Sequence, residues 1–448
     1  MNRKTIFWAC AGLLILAGGT AGAEQKIKKG WNFGVVPAVS YNSDLGFQYG
    51  VTADIFNYGD GSDFPQYHHK FNVEVSRYTK GTTRLHLMYD SKFLIPGIRM
   101  TTALTYSNNP MYSFYGFNGT AEVYDPSLNS GAKEGKQNNK ELIGMSLAPN
   151  AYYNYKRNQF RFLADFQGRV ADHLNWAAGL AFWSYDLGQK KGSFRNDKKD
   201  YEYSDFDLYN VYRASGLIRE NEEKGGNELE FKAGLVYDTR DLESAPSRGI
   251  WSDVCLYGAP DIFGSGYSYL KLSAHFRHYV PVWRDRLTFA YHLAYQGTLA
   301  GEAPFYMQQN INTIYLKQIM SEGLGSINTV RGCLFNRFIG AGYAWGNFEL
   351  RAKIVDFNFI NQSWYVAVNP FFDLGAIVQP YRVKEMAAMK GVSESDLRRE
   401  ATRLHESAGL GVKLVMNQNF IISAELAKPF QKQDNPGMGV NIGLNYIF

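Results

Sequence analysis

Apolar and polar residues alternate along many short stretches of this chain. Residues 229–237 read LEFKAGLVY, so leucine, phenylalanine, alanine, leucine and tyrosine share one face, while glutamate and lysine lie on the other. Residues 347–355, NFELRAKIV, repeat the pattern from a polar start. A period of two residues is typical of a β-strand with one apolar face. The chain is therefore predicted to be built from such strands.

Sixteen segments fit this pattern, and many have about ten residues, the length that a tilted membrane-spanning strand needs. The longest segment, residues 151–168, is long enough to be two strands, and the number of strands would then be odd. The predicted strands are residues 31–42, 47–58, 70–79, 83–93, 98–107, 151–168, 175–187, 228–237, 249–258, 267–279, 286–297, 344–355, 363–375, 407–416, 419–428 and 438–448.

The segments between these strands alternate in length. The short ones include ADH, PVWRD and NQN, and the four long ones are residues 108–150, 188–227, 298–343 and 376–406. If the strands run up and down, all four long connections lie on one side. Short periplasmic turns and long outer loops are the expected asymmetry of an outer-membrane barrel. We predict an all-β fold, a sixteen-stranded antiparallel transmembrane β-barrel. A soluble sandwich is the alternative, but no domain boundary interrupts the strands.

The N-terminus is typical of an exported protein. Arg3 and Lys4 precede an apolar stretch, residues 6–17, and Ala21-Gly22-Ala23 is a small-x-small cleavage site. This pattern predicts a signal peptide, residues 1–23. The apolar stretch is short for a membrane-spanning helix, which is the alternative. Residues 24–30 would then be a short periplasmic segment before a barrel domain at 31–448.

Composition narrows the class of protein further. The chain has 31 Tyr, 30 Phe and 44 Gly, with a mean hydropathy of −0.32. An exported, aromatic-rich chain without apolar helices suits a barrel or a secreted β-protein. A net charge of +5 is too small to imply nucleic acid as a partner. Outer-membrane lipid is the partner that a barrel implies.

The long segment 298–343 contains SINTVRGCLFNRF, with Arg331 directly before Gly332. Alternation turns Glu349 and Asp373, on the two strands that follow, towards the lumen. A planar guanidinium binds carboxylates through two parallel hydrogen bonds. We therefore predict that this loop folds into the barrel and that Arg331 bridges Glu349 and Asp373. Gly332 would permit a close backbone approach.

These residues resemble the outer-membrane assembly-factor superfamily that includes BamA, TamA and the two-partner secretion pores, also called the bacterial surface antigen family. Val330, Arg331 and Gly332 match the V/I-R-G-Y/F motif of its inward-folded sixth outer loop. The resemblance implies that the arginine meets acidic residues on strands twelve and thirteen. Glu349 and Asp373 match them.

Two further motifs follow the same order. YDTRDLESAPSRG resembles the superfamily's D-x-R-D…P-x-x-G turn between strands eight and nine, and FYGFNG, residues 114–119, resembles an outer-loop motif of barrel-bearing relatives. The resemblance covers essentially the whole mature chain. Its turn residues are Asp238, Arg240, Asp241, Pro246 and Gly249.

The chain departs from the superfamily pattern in two ways. Cys333 stands where an aromatic residue is usual, and residues 24–30 leave no room for periplasmic POTRA domains. The expectation is a barrel-only relative, to which client handling does not carry over. Client polypeptides or separate periplasmic subunits are then the candidate protein partners.

The last predicted strand suggests how such a barrel would work. In residues 438–448 every second residue is apolar, and Tyr446 and Phe448 are the candidate C-terminal assembly signal at the lipid boundary. Glycines at 437, 439 and 443 either weaken a seam between the first and last strands or serve curvature and close packing.

Two functions remain open on the sequence. In the first, the barrel assists insertion or translocation of polypeptide, or of lipid, at the outer membrane. In the second, it is a passive pore or structural surface protein that retains only the fold. We expect no enzyme activity and no cofactor, since G-x-S-x-G and H-E-x-x-H are absent. His68-His69 has no companion ligand cluster and is more simply a solvated turn.

Three smaller features complete the expectations. SESDLRREATRLHES, in the segment 376–406, starts with a capping box of Ser393 and Asp396 and predicts a short surface helix. The segment 188–227 is charged with both signs and predicts a solvated outer loop. Cys255 and Cys333 could meet in an oxidising compartment, but the loop that carries Cys333 should lean towards other strands. We expect two thiols.

Overall fold

The computed structural model describes the barrel and most of its connections. The described residues are 27–42, 45–64, 66–119, 124–125, 152–189, 193–196, 199–202, 207–314, 321–325, 328–359, 362–416, 420–444, 446 and 448. The predicted signal peptide lies outside them.

Sixteen antiparallel strands form one closed sheet, as predicted, and each pairs with its chain neighbours. The strand β1 has two segments that pair with β2 in one uninterrupted register. The strands are β1 (Trp31–Pro37 and Ser40–Asn42), β2 (Gly46–Asn57), β3 (His69–Tyr78), β4 (Thr83–Ile95), β5 (Ile98–Ser113), β6 (Asn154–Ala171), β7 (Leu174–Gly188), β8 (Asn227–Asp238), β9 (Gly249–Ala259), β10 (Ser268–Trp283), β11 (Leu287–Glu302), β12 (Gly342–Phe359), β13 (Gln362–Gln379), β14 (His405–Met416), β15 (Phe420–Pro429) and β16 (Gly439–Leu444).

Alternation along each strand separates lipid-facing from lumenal side chains. In β8, Phe231 and Leu235 are exposed on the outer surface, whereas Glu230 and Lys232 are buried inside the barrel. Charged residues inside and apolar residues outside are the arrangement of a barrel surrounded by hydrocarbon. The ambiguous segment 151–168 is the single strand β6, which preserves the even count.

The long connections contain secondary structure of their own. In their described parts lie four helices, α1 (Leu208–Ala214), α2 (Phe305–Gln308), α3 (Val383–Lys390) and α4 (Glu394–Ala401). Two small hairpins pair Ser193–Asn196 with Lys199–Glu202 and Asn310–Ile311 with Ser321–Glu322. No helix among the described residues is long and apolar enough to cross a membrane.

Two predictions about the long connections need correction. The segment 188–227 is not simply a solvated loop, because Tyr209 and Tyr212 of α1 are buried. Residues 376–406 contain two helices rather than one. The predicted cap of the second is present, since the Ser393 side chain accepts a hydrogen bond from the Asp396 N–H at 3.1 Å.

Aromatic residues from four long connections meet in one cluster, here called the outer cap. Phe114 and Phe117 follow β5, Tyr212 lies on α1, Phe305 on α2 and Tyr381 before α3. Ring centroids are 5.2 Å apart for Phe114–Tyr212, 5.1 Å for Phe117–Tyr212 and 4.9 Å for Phe117–Tyr381. Edge-to-face pairs at such distances are favourable beyond their buried area. The cap therefore packs like a small hydrophobic core at the long-loop end.

Candidate functional site: the lumenal arginine and the barrel seam

Arg331 lies in the sixth outer loop (residues 303–341), and the described residues around it enter the lumen. Its Nε and Nη2 donate to the two oxygens of Asp373 at 2.7 and 2.8 Å, and its backbone N–H donates to the same carboxylate at 3.0 Å. Nη1 donates to Glu349 at 2.6 Å. The two predicted carboxylates are thus brought to the predicted arginine. The guanidinium also stacks on the Phe371 ring, 3.4 Å from its centroid, so the group is fully enclosed.

Sequence reasoning missed a third carboxylate and two more cations. Glu425 on β15 accepts from Arg331 Nη1 at 3.1 Å and from Lys413 on β14 at 2.6 Å. Glu349 also accepts from Arg351 Nε at 2.8 Å. All five side chains are buried. Alternation in the predicted strands 407–416 and 419–428 puts Lys413 and Glu425 on the polar face, so the signal was present in the sequence.

Gly332 meets the last two strands of the barrel. Its φ is +90°, a region that L-residues rarely adopt. A Cβ there would lie 2.9 Å from the Cβ of Ala427, and a Cβ on Gly439 would lie 2.7 Å from Gly332 Cα. Asn435, between β15 and β16, donates to the Gly332 carbonyl at 2.8 Å. Close packing therefore explains the glycine at 439.

Tyr446 and Phe448, beyond β16, contact lumenal side chains, which corrects the prediction for these two residues. The strand stops at Leu444, and Phe448 is buried instead of lying at the lipid boundary. Its ring lies 5.4 Å from His292 and 6.3 Å from Tyr279, and its carbonyl accepts from Arg351 Nη2 at 2.9 Å. The guanidinium of Arg351 stacks on Tyr446 at 4.1 Å. Polar and aromatic partners inside the barrel thus replace the strand pairing.

The seam between β1 and β16 is short. Among the described residues, the two strands pair at Tyr41 with Ile442 and at Asn42 with Asn441. The register of β2 with β3, in contrast, runs through ten residue pairs from Gln48 to Asn57. The outer edge of β1 from 31 to 37 has no partner strand in the described part of the chain.

The residues of the other two motifs, the turn at 238–249 and FYGFNG, also make defined contacts. Asp241 accepts from the Ser247 N–H at 2.9 Å, and Asp238 accepts from Arg240 Nη2 at 2.6 Å. Gly249 has a φ of +104°. Pro246 lies in the same turn. The other four motif residues, Asp238, Arg240, Asp241 and Gly249, fold this turn tightly. The three aromatic residues of FYGFNG, Phe114, Tyr115 and Phe117, belong to the outer cap.

A family model now decides the classification. The model described as the Omp85 superfamily domain matches residues 69–448. The chain belongs to the Omp85 superfamily. An Omp85 barrel is an outer-membrane barrel of a family concerned with insertion and translocation of proteins.

Solved structures agree with this Omp85 fold. BamA from Haemophilus ducreyi lacking POTRA domains 1–3 is 14% identical with a TM-score of 0.54, and the match covers 93% of this chain and 70% of that one. CdiB from Escherichia coli is 10% identical with a TM-score of 0.52, covering 91% and 62%. The chain thus spans somewhat under two thirds of the CdiB structure. No curated protein matches it by sequence.

The remaining candidate residues of this Omp85 chain have ordinary surroundings. His68 Nε2 lies 2.9 Å from a carboxylate oxygen of Asp63, and its ring stacks on Phe93. His68 precedes β3, but His69 is the first residue of that strand, which corrects the prediction that both lie in a turn. Cys255 and Cys333 are buried in different clusters and form no disulfide bond in the described part of the chain. Within those residues no group of three or more His, Cys, Asp or Glu side chains is placed to hold a metal ion.

Proposed function

We propose that this Omp85 barrel assists the insertion or translocation of polypeptide, or of lipid, at the outer membrane, and that it acts at the seam between β1 and β16. The observation that carries the proposal is the short pairing of the seam among the described residues, Tyr41 with Ile442 and Asn42 with Asn441. The proposal includes no catalytic step.

The physical argument rests on hydrogen bonds. Residues 31–37 of β1 pair with β2 along one edge, and the other edge faces the membrane without a partner among the described strands. Trp31, Phe33 and Val35 on this segment are exposed to lipid. An unmade backbone hydrogen bond in hydrocarbon costs several kcal/mol, on the order of the transfer cost of an amide. An incoming strand would gain these bonds at the edge of β1, and a polar lipid headgroup would gain some of them.

The passive-pore alternative requires an open lumen. Here the sixth outer loop occupies the lumen, with Arg331 buried against three carboxylates, and the outer cap covers the long-loop end. These features support the first function over a pore. A structural surface protein would also have a closed lumen, so an experiment has to distinguish this alternative from the proposed function. Client polypeptide at the seam, lipid around the barrel and a separate periplasmic subunit that delivers the client are the proposed partners.

Reconstitution tests the proposal. The purified barrel is placed in lipid vesicles, and the folding rate of a urea-denatured outer-membrane β-barrel polypeptide is compared with that in empty vesicles. We expect faster folding with the barrel present, or faster exchange of labelled lipid between leaflets. Steady ion conductance with neither acceleration would show a pore. No acceleration and no conductance would show a structural protein.

A further inference from the structure

The turn between β8 and β9 crosses the short-turn end of the barrel, and residues 239–248 are here called the strap. On one side Glu243 Oε1 lies 3.2 Å from Lys92 Nζ and 3.2 Å from Arg99 Nη1, both near the β4–β5 turn. On the other side Ala245 packs against the buried cluster of Tyr365, Ala367, Val415 and Ile421, on β13, β14 and β15. Strands β4 and β5 face β13 across a sixteen-stranded barrel. Contacts at both walls therefore mean that the strap spans the mouth.

The strap is folded rigidly enough to act as one piece. Arg240 is held by Asp238 at 2.6 Å, stacks on the Trp251 ring at 3.9 Å and donates to the Glu243 carbonyl at 3.1 Å. Asp241 accepts from the Ser247 N–H across the turn. The residues that the family motif specifies thus aim Glu243 at its cations. Asp238, Arg240 and Asp241 therefore set the conformation of the strap, whereas Glu243 makes its contact with Lys92 and Arg99.

The receiving side is fixed as well. Arg99 is held by Asp90 through Nε at 3.0 Å and Nη2 at 2.9 Å, and Tyr67 donates to the same carboxylate at 2.7 Å. Because Asp90 is buried and Arg99 is largely buried, this end does not follow the strap if the strap moves. Release would therefore occur at Glu243.

The two ends of the barrel are held with unequal strength. The side chains of Glu243 and Lys92 are 46% and 40% exposed, whereas those of Arg331, Glu349 and Asp373 are at most 3% exposed. Exposed ion pairs are weak and are screened by salt, while buried pairs are screened much less. The outer end is further closed by the aromatic cap.

We propose that the strap is a lid on the lumen, which opens at the short-turn end when Glu243 leaves Lys92 and Arg99, while the sixth outer loop stays in place. This goes beyond the proposed function, since it concerns access to the lumen rather than the seam. Trp251, on which Arg240 of the strap stacks, lies in one buried cluster with Cys255. A small cavity of about 20 Å³ separates the strap from Arg351 and Lys353 of the wall.

The two native cysteines report the two ends separately. Cys255 lies in the cluster that contains Trp251, on which Arg240 of the strap stacks, and Cys333 lies in the cluster that contains Val330 of the sixth outer loop. Both cysteines are buried. The rate of modification by a water-soluble maleimide is measured on the purified full-length barrel in detergent. C333A is the background for reading Cys255, and C255A is the background for reading Cys333.

E243K replaces two attractions by two repulsions, so we expect the Cys255 rate to rise roughly tenfold, with little change at Cys333. Raising salt from about 0.1 M to about 1 M shortens the Debye length from roughly 10 Å to roughly 3 Å and should raise the parent's Cys255 rate in the same direction. E243K/K92E should recover part of the parent rate, because one attraction returns.

E400K is the matched control, since Glu400 also pairs with an exposed arginine, Arg403 at 2.7 Å, but on the outer helix α4. It should change neither rate. An unchanged Cys255 rate in folded E243K overturns the lid, and so does a parallel rise at Cys333, which would mean general loosening. If E243K does not fold, the salt series on the parent decides, and a salt-independent Cys255 rate overturns the lid.

Discussion

Replacing Arg331 by alanine removes the cation that binds three lumenal carboxylates. Glu349 keeps Arg351 at 2.8 Å, and Glu425 keeps Lys413 at 2.6 Å. Asp373 keeps the Asn347 amide at 2.9 Å but no cation within salt-bridge distance among the described residues. The uncompensated charge in R331A is therefore that of Asp373.

The magnitude follows from burial. The side chains of Arg331 and Asp373 are 3% and 0% exposed, and breaking a buried pair by removing one partner costs about 3–5 kcal/mol. An exposed pair such as Arg403 with Glu400 contributes roughly 0–1 kcal/mol. The penalty should fall on docking of the sixth outer loop, because the strand ladder does not include residues 328–341. The barrel should close, and the loop should leave the lumen more often.

The assay compares R331A with R403A in three measurements: the thermal midpoint, proteolysis of the sixth outer loop and maleimide modification of Cys333. R331A should be less heat-resistant, cleaved faster and labelled faster, while R403A should match the parent. R331K should recover only part of the loss, since it keeps the charge without the planar fork. Adding D373N to R331A should restore stability in part, because the amide carries no charge.

A folded R331A with the parent's thermal midpoint, loop protection and Cys333 rate would refute this reasoning. The arginine would then contribute no more than an exposed ion pair. A D373N that destabilises R331A further would refute the assignment of the penalty to the orphaned carboxylate.

Three other outcomes are expected. F448A should lower the thermal midpoint, because it empties a buried site beside Tyr279; an unchanged midpoint would place the ring outside the lumen. G332A should increase loop proteolysis through both a positive φ and a clash, whereas G391A, which has a positive φ but open space, should affect stability less; equal effects would rule out the close approach. Desolvation raises the pKa of Glu243, but the charges of Arg99 and Lys92 outweigh it and lower the pKa to about 2 from its ordinary 4.5. Its stabilisation should be complete above pH 4.5 and fade towards pH 2, so the thermal midpoints of parent and E243Q should converge there; a constant difference across that range would contradict this.

The parts of the fold that the sequence predicted are those with a local signal. A period of two residues specifies both the strand and the face of each side chain, so Glu349 and Asp373 could be placed in the lumen without a structure. Alternating short turns and long connections then predicted that the four long connections lie at one end of the barrel, where the outer cap forms. The segment 151–168 was correctly predicted to be one strand, because a tilted strand can extend beyond the hydrocarbon layer.

The parts that were missed depend on contacts between distant segments. Alternation continues to Phe448, and nothing local shows that Arg351 and the lumenal rings compete with strand pairing. Helix α1 is short and aromatic, so its formation depends on burial in the outer cap rather than on propensity. The contact of Glu243 with Arg99 joins residues far apart in the chain, and such pairs have no sequence period.

The central claim is that the seam is the working part, and a reversible lock tests it most directly. Cysteines at Tyr41 and Ile442, which are paired across the seam, are introduced into C255A/C333A, and cysteines at Leu414 and Ile422, paired between β14 and β15, form the control. The folding rate of a denatured β-barrel polypeptide is measured in vesicles that contain each oxidised barrel, and again after reduction. The account predicts that oxidation of the seam pair abolishes the acceleration, that reduction restores it and that the control pair has no effect. Acceleration that survives the closed seam would contradict it.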